Sequence, residues 1–315
     1  MLHDLLTVTI IVSVLASTLK IATPLLLAAL GELVTERAGV MNLGVEGTML
    51  IGAYAGFIVV FRTESLALGY LAAVLAGGIM GLFMVFMASS LKVDQTVTGL
   101  SINLFATGFT LFLYRVAFGD ISDLPIIVPS GKISIPVLSE IPILGDILFK
   151  QSWLTYFALL MVPIIAIFLY KTKYGLAIRA IGENPRAVDT VGLNVTKYQY
   201  LCVIFGGMMD GLGGAFITIG TLSNFLPGIT AGRGWLAVIL VIAGNWQPLW
   251  IFFATLVFAF LDATQLQLQG FGVPVPYQLL LSLPFIIALL VLMGSRARSL
   301  APKFLSKPYI REVTK

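Results

Sequence analysis

The sequence contains almost no cysteine and almost no histidine. Among its 315 residues there is one of each, Cys202 and His3. A single cysteine cannot form a disulfide within the chain or supply a cysteine metal cluster. A single histidine near the start of the chain gives no basis for a histidine metal site or for histidine-based catalysis. No metal and no cofactor are therefore expected on this chain.

Charge is also scarce. Charged residues make up 11% of the chain, whereas soluble domains carry about 25%. Hydrophobic residues make up 58%, and the mean hydropathy is +1.00. Such a chain cannot cover a surface that faces water, so the composition predicts an all-α polytopic membrane protein. No interval between the apolar runs is long or polar enough for a soluble domain, and residues 1–315 are expected to form one transmembrane domain.

Motifs for nucleotide chemistry are absent as well. The chain has no Gly-x-x-x-x-Gly-Lys-Ser/Thr loop and no pair of carboxylates beside a set of metal ligands. It also lacks a recognisable acid–base or nucleophile constellation, so an enzyme is the weakest interpretation. If ATP drives transport here, a separate chain must hydrolyse it.

The apolar runs predict about nine transmembrane helices, most of them near the roughly 20 residues that one crossing requires. Lys20 and Pro24 interrupt the first run, which is predicted to be a lead-in segment followed by a span. The seventh is short. The predicted spans are Leu5–Leu30, Thr48–Phe61, Leu66–Leu91, Thr96–Phe118, Trp153–Tyr170, Tyr200–Leu222, Trp235–Ala243, Leu249–Leu268 and Gln278–Met293.

The basic residues predict the orientation. The net charge of +4 comes mostly from the central stretch and the C-terminal tail, and basic segments of membrane proteins stay in the cytoplasm. Nothing in this distribution indicates a nucleic-acid partner. The predicted divisions are a first half at 1–170 with an outer loop at 119–152, a cytoplasmic loop at 171–198, a second half at 199–295 and a basic cytoplasmic tail at 296–315.

The central stretch is expected to hold a short helix. Asn184 is a good N-cap, Pro185 suits the first helical position, and Gly192 is a suitable stop. A capped helix outside the membrane, between two apolar halves, could be a docking site through which a partner protein moves the chain. The alternative is a charged loop that only fixes topology.

Two glycine-spaced polar stretches, Gly39–Gly47 and Gly228–Gly234, each follow one apolar run and precede another. In the predicted topology one lies toward the inside and the other toward the outside. They therefore indicate an inverted-topology repeat with discontinuous helices near a pathway. The alternative is that both are ordinary turns.

Polar side chains within the apolar runs are the candidates for a translocation path, because they are costly in lipid and usually face an interior. Hydroxyl groups and one amide also share a face of the fourth span, where they could bind a neutral polar solute or join helices by hydrogen bonds. The stripe of glycines around Asp210 more often indicates close helix packing. The path candidates are Asn42, Glu46, Asn103, Thr107 and Asp210.

Four stretches resemble the permease subunits of ABC importers of the branched-chain amino acid and simple-sugar superfamily. They are Glu36–Ala53, Tyr174–Ala187, Gly232–Val238 and Pro142–Phe149. The form Asn-Leu-Gly-Val-Glu-Gly within the first is similar to the nucleoside subgroup. The resemblance covers nearly the whole chain.

The resemblance implies a cell-membrane permease subunit that works with a second permease subunit, an ABC ATP-binding subunit carrying ATP and magnesium, and an extracellular substrate-binding lipoprotein. It also implies that the central helix docks in a groove of the ATPase. Arg186 and Val188 depart from the importer pattern Glu-Ala-Ala-x-x-x-Gly, so the pattern locates the helix but not its individual contacts. The implied coupling residues are Glu183, Asn184, Pro185, Arg186, Ala187, Asp189 and Gly192.

The expected cargo is a nucleoside. The alternatives are ribose, another simple sugar or a branched-chain amino acid, carried by the same kind of importer. Sugars and nucleosides both present hydroxyl groups, so the sequence hardly distinguishes between them as cargo. A stand-alone ion-coupled carrier is a different class, for which Asp210 or Asp262 could serve as the coupling carboxylate.

Overall fold

The structure, a computed structural model, describes residues 2–119, 125–136, 138–270 and 300–310, together with Gln278, Ser282 and Ile286, and side chains from Ile10 onward. Helices dominate this part of the chain. Two π-helical segments, Phe86–Ser90 and Phe216–Leu222, extend α3 and α9. The helices are α1 (Leu2–Arg37), α2 (Val45–Thr63), α3 (Leu66–Val85), α4 (Gln95–Phe118), α5 (Leu144–Leu148), α6 (Trp153–Lys171), α7 (Lys173–Glu183), α8 (Pro185–Thr190), α9 (Val195–Ala215), α10 (Arg233–Ala243) and α11 (Pro248–Gly270).

The predicted all-α polytopic architecture is confirmed. Within the described residues, seven helices are long and apolar enough to cross a membrane, and they lie in α1, α2, α3, α4, α6, α9 and α11. The seventh predicted span corresponds to α10, which has 11 residues and is about 17 Å long. That is about half of a 30 Å hydrocarbon core, so α10 does not cross alone. The ninth predicted span, Gln278–Met293, lies outside the described residues apart from three positions.

The first apolar run forms one continuous helix, and the predicted interruption at Lys20 and Pro24 is wrong. Proline removes a backbone hydrogen bond from a helix interior, but neighbouring helices can compensate for this inside a membrane protein. Here α1 packs at the centre of the molecule, and the side chains of Leu25 to Leu30 are buried. The Pro24 carbonyl lies directly against Gly213 of α9, where an added Cβ would approach its oxygen to 2.8 Å. Packing thus keeps α1 helical through the proline.

Helix α9 is the other central element, and glycines let its neighbours approach closely. It packs against α1, α2 and α3. A Cβ on Gly77 of α3 would lie 2.1 Å from the Gly207 carbonyl oxygen, and a Cβ on Gly52 of α2 would lie 2.4 Å from the Gly211 Cα. The glycine stripe of α9 is therefore a packing surface, as predicted.

Between α4 and α6 the chain forms short pieces, as the proline content predicts. Strands β1 (Lys132–Ser134) and β2 (Lys150–Ser152) pair in antiparallel register, with Ile133 opposite Gln151. A 3₁₀ turn, Leu138–Glu140, and helix α5 lie between them.

The molecule has two ends, and we call the one that carries the central basic stretch the basic end. There, Phe304 N–H donates to the Gly182 carbonyl (2.8 Å), and Leu300 N–H donates to Asn245 Oδ1 (2.7 Å). At the opposite end, Ile127 N–H donates to the Ser223 carbonyl (2.8 Å). The central loop and residues 300–310 therefore lie at the same end, as the predicted topology requires.

The glycine packing gives a test. Gly211→Ala places a Cβ 2.2 Å from the Ala73 carbonyl oxygen and should lower the free energy of unfolding by about 1–3 kcal/mol, because backbone must shift to make room. The matched control is Gly108→Ala on α4, where a Cβ meets nothing within 4 Å. Unfolding in mixed micelles measures both, and equal stability of the two variants would contradict the packing account.

Candidate functional site

Two helices are interrupted where the glycine-rich stretches were predicted to break them. Helix α1 ends at Arg37, and the chain is non-helical until α2 begins at Val45. The π-helical extension of α9 ends at Leu222, and the chain is again non-helical until α10 begins at Arg233. Gly39, Gly228 and Gly232 have φ values of +82°, +75° and +83°, which residues with side chains rarely adopt. Glycine at these positions thus permits the breaks.

Glu46, in the first turn of α2, joins the two breaks. Its Oε1 accepts hydrogen bonds from Thr230 Oγ1 (2.6 Å) and Gly232 N–H (2.9 Å), and its Oε2 accepts one from Gly234 N–H (2.7 Å). The carboxylate thus lies at the N-terminus of α10, where free backbone N–H groups and the helix dipole favour a negative charge. We call the contact between the first turns of α2 and α10 the Glu46 junction.

The Glu46 junction lies between the two ends of the molecule. From it, α10 runs about 17 Å to the turn at Asn245, at the basic end. In the other direction, α2 runs about 28 Å to Thr63, beside the Ile127 segment at the opposite end. Both helices therefore begin between the two ends of the molecule and run in opposite directions from the junction.

Amide side chains fix the first break. Asn103 Nδ2 donates to the Leu43 carbonyl (2.8 Å), and Gly47 N–H donates to Asn103 Oδ1 (2.8 Å). Asn42 Oδ1 accepts from Gly44 N–H (2.9 Å), which closes a tight turn. The Thr107 hydroxyl donates to the Asn103 carbonyl (2.8 Å) on an exposed face of α4. Of the five predicted path residues, Glu46 forms the junction and Asn103 contacts the first turn of α2 beside it, while Asn42 lies in the first break and Thr107 one turn along α4 from Asn103. Asn103 makes the interhelical bonds that were the alternative interpretation.

Asp210, the fifth predicted path residue, lies elsewhere. It is fully buried in α9, and neither carboxylate oxygen has a hydrogen-bond partner among the described residues. It is close enough to Glu32 for their charges to interact. Asp210 therefore does not line an open space in this conformation.

Sequence reasoning assigned no role to the end of α1, where Glu32 and Glu36 are fully buried. Glu32 Oε1 accepts from Asn42 N–H (3.0 Å), and Trp246 Nε1 donates to Glu36 Oε2. Arg37 Nη2 donates to the Trp246 carbonyl (2.6 Å). The last turn of α1 is therefore tied to the turn that follows α10. The signal was present, since two glutamates four residues apart share one face of an apolar helix.

At the basic end, the predicted short helix is confirmed as α8. Asn184 Oδ1 accepts from Ala187 N–H (3.3 Å), Pro185 occupies the first helical position, and Gly192 has φ +83° after the last turn. Pro185 and Val188 are buried, and Asp189 is half-buried. The outward face is formed by Glu183, Asn184, Arg186, Ala187 and Thr190.

An amphipathic helix, α7, precedes α8 and was not predicted. Thr172 Oγ1 caps it by accepting from Gly175 N–H (3.0 Å), and its buried face includes Ile178 and Ile181. The apolar spacing of three and four residues was the missed signal. The short length and the flanking charges made this segment resemble a loop.

The described part of the tail packs across α7 and α8. Besides the Phe304 bond to Gly182, the Tyr309 hydroxyl donates to Asp189 Oδ2 (2.9 Å). The Tyr309 ring packs in a small apolar cluster with Ile181, Val188 and Val195. The tail thus helps to hold α8 in place.

Comparison with known proteins decides the family. Residues 14–292 match the family described as branched-chain amino acid transport system, permease component. The chain belongs to this permease family. The resemblance found in the sequence is confirmed, and the permease is a multi-pass membrane transport component, not an enzyme.

Relatives of the permease carry different cargo names. It is 37% identical to a guanosine ABC transporter permease of Bacillus subtilis, over 95% of this chain and 96% of the relative. It is 31% identical to a nucleoside ABC transporter permease of Lactococcus lactis, with the same coverage. It is 38% identical to a provisionally named glucose ABC transporter permease of Haloferax volcanii, over 81% of this chain and 78% of the relative. No solved structure matches the permease.

The Glu46 junction predicts a stability effect. Glu46→Ala removes the acceptor of three hydrogen bonds and should lower the free energy of unfolding by about 3–6 kcal/mol, because two backbone N–H groups and one hydroxyl lose their partner. Glu46→Gln should fall in between. The control is Glu64→Gln at the exposed end of α2. Unfolding each variant with denaturant in mixed micelles measures its free energy of unfolding. Equal stability of the Glu46 and Glu64 variants would rule the junction out as a stabilising contact.

The contact between the tail and α8 predicts a local effect. Tyr309→Ala should raise backbone hydrogen exchange in α8 by about fivefold, because a buried ring and a hydrogen bond worth about 1 kcal/mol are lost. Ile310→Ala, whose side chain is 64% exposed, is the control. Unchanged exchange in α8 would show that the tail does not hold it.

Proposed function

We propose that the chain is the permease subunit of an ATP-driven, binding-protein-dependent importer of nucleosides. The observation that carries the proposal is the similarity to permeases named for guanosine and nucleosides, which extends over nearly the full length of both chains. The working partners would be an ABC ATP-binding subunit carrying ATP and magnesium, a second permease subunit and an extracellular substrate-binding lipoprotein.

In this proposal the basic end faces the cytoplasm, and the C-terminus is cytoplasmic. The chain crosses the cell membrane nine times: seven long helices cross alone, α10 completes a crossing together with the break before it, and the predicted span Gln278–Met293 is the last. The location of the central loop and residues 300–310 at one end supports this orientation, together with their positive charge. The solute would then enter from the opposite end, where the binding protein delivers it.

The two interrupted helices support an inverted repeat. Helix α1 reaches the basic end before its break, and α2 then leads away from that end. Helix α9 reaches the opposite end before its break, and α10 then leads back. The two units run in opposite directions and meet at the Glu46 junction. Discontinuous helices arranged in this way form the solute pathway in other transporters.

The path residues fit a neutral polar solute. Beside the first break, Asn103 carries a half-buried amide and Thr107 an exposed hydroxyl, whereas Asn42 is buried in this conformation, and Glu46 already has three hydrogen-bond donors of its own. Such groups can exchange hydrogen bonds with the hydroxyl groups of a nucleoside without desolvating a net charge. Asp210 would join the path only in a state that separates α1 from α9.

A chain of contacts leads from the coupling helix to the junction. The outward face of α8 would dock on the ATPase, and α7 and the tail would move with α8. Arg37 donates to the carbonyls of both Leu300 and Trp246, which links the tail to the turn after α10. Helix α10 then reaches Glu46. Closure of the ATPases on ATP must supply the bias, since a solute that binds both states equally shifts neither.

A sugar is the second candidate cargo. The relative named for glucose is 38% identical to this chain and the relative named for guanosine 37%, although the glucose match covers 81% of this chain and the guanosine match 95%. Ribose and glucose present hydroxyl groups to the same amides, so the residues at the junction do not favour one cargo over the other.

Uptake of labelled guanosine, in cells with and without this chain, tests the cargo. Deletion should abolish guanosine uptake, and unlabelled uridine should compete with guanosine in the complete strain, whereas ribose and leucine should not. Guanosine uptake that is unchanged by deletion would reject the nucleoside assignment. A deletion that instead stops ribose uptake would favour the sugar within the same machine.

The coupling role predicts that Arg186→Glu lowers uptake by roughly tenfold or more, because a reversed charge on a docking surface costs a few kcal/mol. Gly192→Pro should act likewise, since proline cannot adopt φ +83°. The control is Lys132→Glu, an exposed charge reversal at the opposite end. Folded protein should remain in all three strains, and normal uptake with either coupling variant would refute the docking role.

A further inference from the structure

An apolar groove of about 420 Å³ lies on the outer surface between α6 and α9. Val34 of α1 forms its floor. Ile164 and Phe168 line the α6 side, and Leu201 lines the α9 side. Tyr174 of α7 closes the groove toward the basic end. We call this surface the α6–α9 groove.

The groove is open to the surroundings of the protein. Leu201 is 60% exposed and Ile164 is 44% exposed, although both lie on helices long and apolar enough to cross a membrane. Exposed apolar surface of this kind must be covered by lipid or by protein. The groove extends from the middle of α6, at Met161, to Tyr174 of α7 at the basic end.

Three lysines surround the end of the groove that Tyr174 closes. Lys171 follows Phe168 by three residues on α6, and Lys197 precedes Leu201 by four residues on α9, so each lies on the lining face about one turn nearer the basic end. Lys173 Nζ is 5.4 Å from the centre of the Tyr174 ring. All three lysines are exposed, and none has an ion-pair partner among the described residues.

We propose that the α6–α9 groove binds one anionic phospholipid. An acyl chain would lie against Ile164 and Leu201, and the lysine ammonium groups would hold the phosphate. Basic pockets between transmembrane helices on the cytoplasmic side suit this class of lipid. A second copy of the chain fits less well, because a symmetric contact would bring the same unpaired lysines together. Lipid binding here is separate from transport and does not depend on the cargo, but it rests on the proposed cytoplasmic location of the basic end.

Binding would also affect the coupling segment. Tyr174 and Ile178 line the groove from α7, which leads directly into α8. A bound lipid would therefore add apolar contacts to α7 and stabilise the position from which α8 extends.

Native mass spectrometry of the full chain, released from detergent, tests the proposal with phosphatidylglycerol and phosphatidylcholine of identical acyl chains. Wild type should retain one phosphatidylglycerol in preference to phosphatidylcholine. Lys171→Gln, Lys173→Gln and Lys197→Gln should each weaken phosphatidylglycerol binding about fivefold, and the triple variant should remove the preference. The matched control is a triple variant of exposed lysines elsewhere, Lys132→Gln, Lys303→Gln and Lys307→Gln, which should behave as wild type.

A second variant tests the apolar part without changing charge. Leu201→Trp fills the groove and should reduce the retention of phosphatidylglycerol, whereas Leu75→Trp on the exposed face of α3 should not. Equal retention of the two lipids by wild type would overturn the proposal. So would unchanged retention in the Lys171, Lys173 and Lys197 triple variant, or a dimer that excludes lipid and dissociates with Leu201→Trp.

Discussion

One carboxylate, that of Glu46, joins two helices that begin between the two ends of the molecule. A backbone N–H group left without a partner inside a membrane costs several kcal/mol, so a helix can start there only if another group accepts its first hydrogen bonds. Glu46 accepts two backbone bonds and one hydroxyl bond from the start of α10. Glu46 itself belongs to α2, so the interaction that permits one break also holds the two units together.

Closely packed helices surround this junction. Glycines on α2, α3 and α9 bring three backbones into contact, which leaves little freedom for these helices to move separately. The contacts between α1 and the turn after α10 are made by long polar side chains, Arg37, Glu36 and Trp246. In the proposed importer, movement of α8 would be transmitted along α7, the tail and α10, while the α2–α3–α9 packing stays intact.

Much of this arrangement could be predicted from the sequence. Long apolar runs set most of the spans, and Asn184, Pro185 and Gly192 indicated α8 because caps and stops are local signals. The continuous α1 was missed, because only its tertiary surroundings keep it helical through Pro24. The hydrogen-bond partners of Glu46 also could not be predicted from local sequence, since they lie more than 180 residues away in the chain. Local sequence patterns therefore identify candidate residues, but tertiary packing determines which of them are in contact.

The central claim is that ATP hydrolysis on a partner chain, transmitted through α8, drives transport by this permease. The most direct measurement is solute uptake in cells whose ATP has been depleted while the membrane potential is kept. The account predicts that uptake stops when ATP is removed, although the potential remains. Uptake that continues without ATP would point to an ion-coupled carrier, and it would contradict the role assigned to α8 and the contacts that connect it to Glu46.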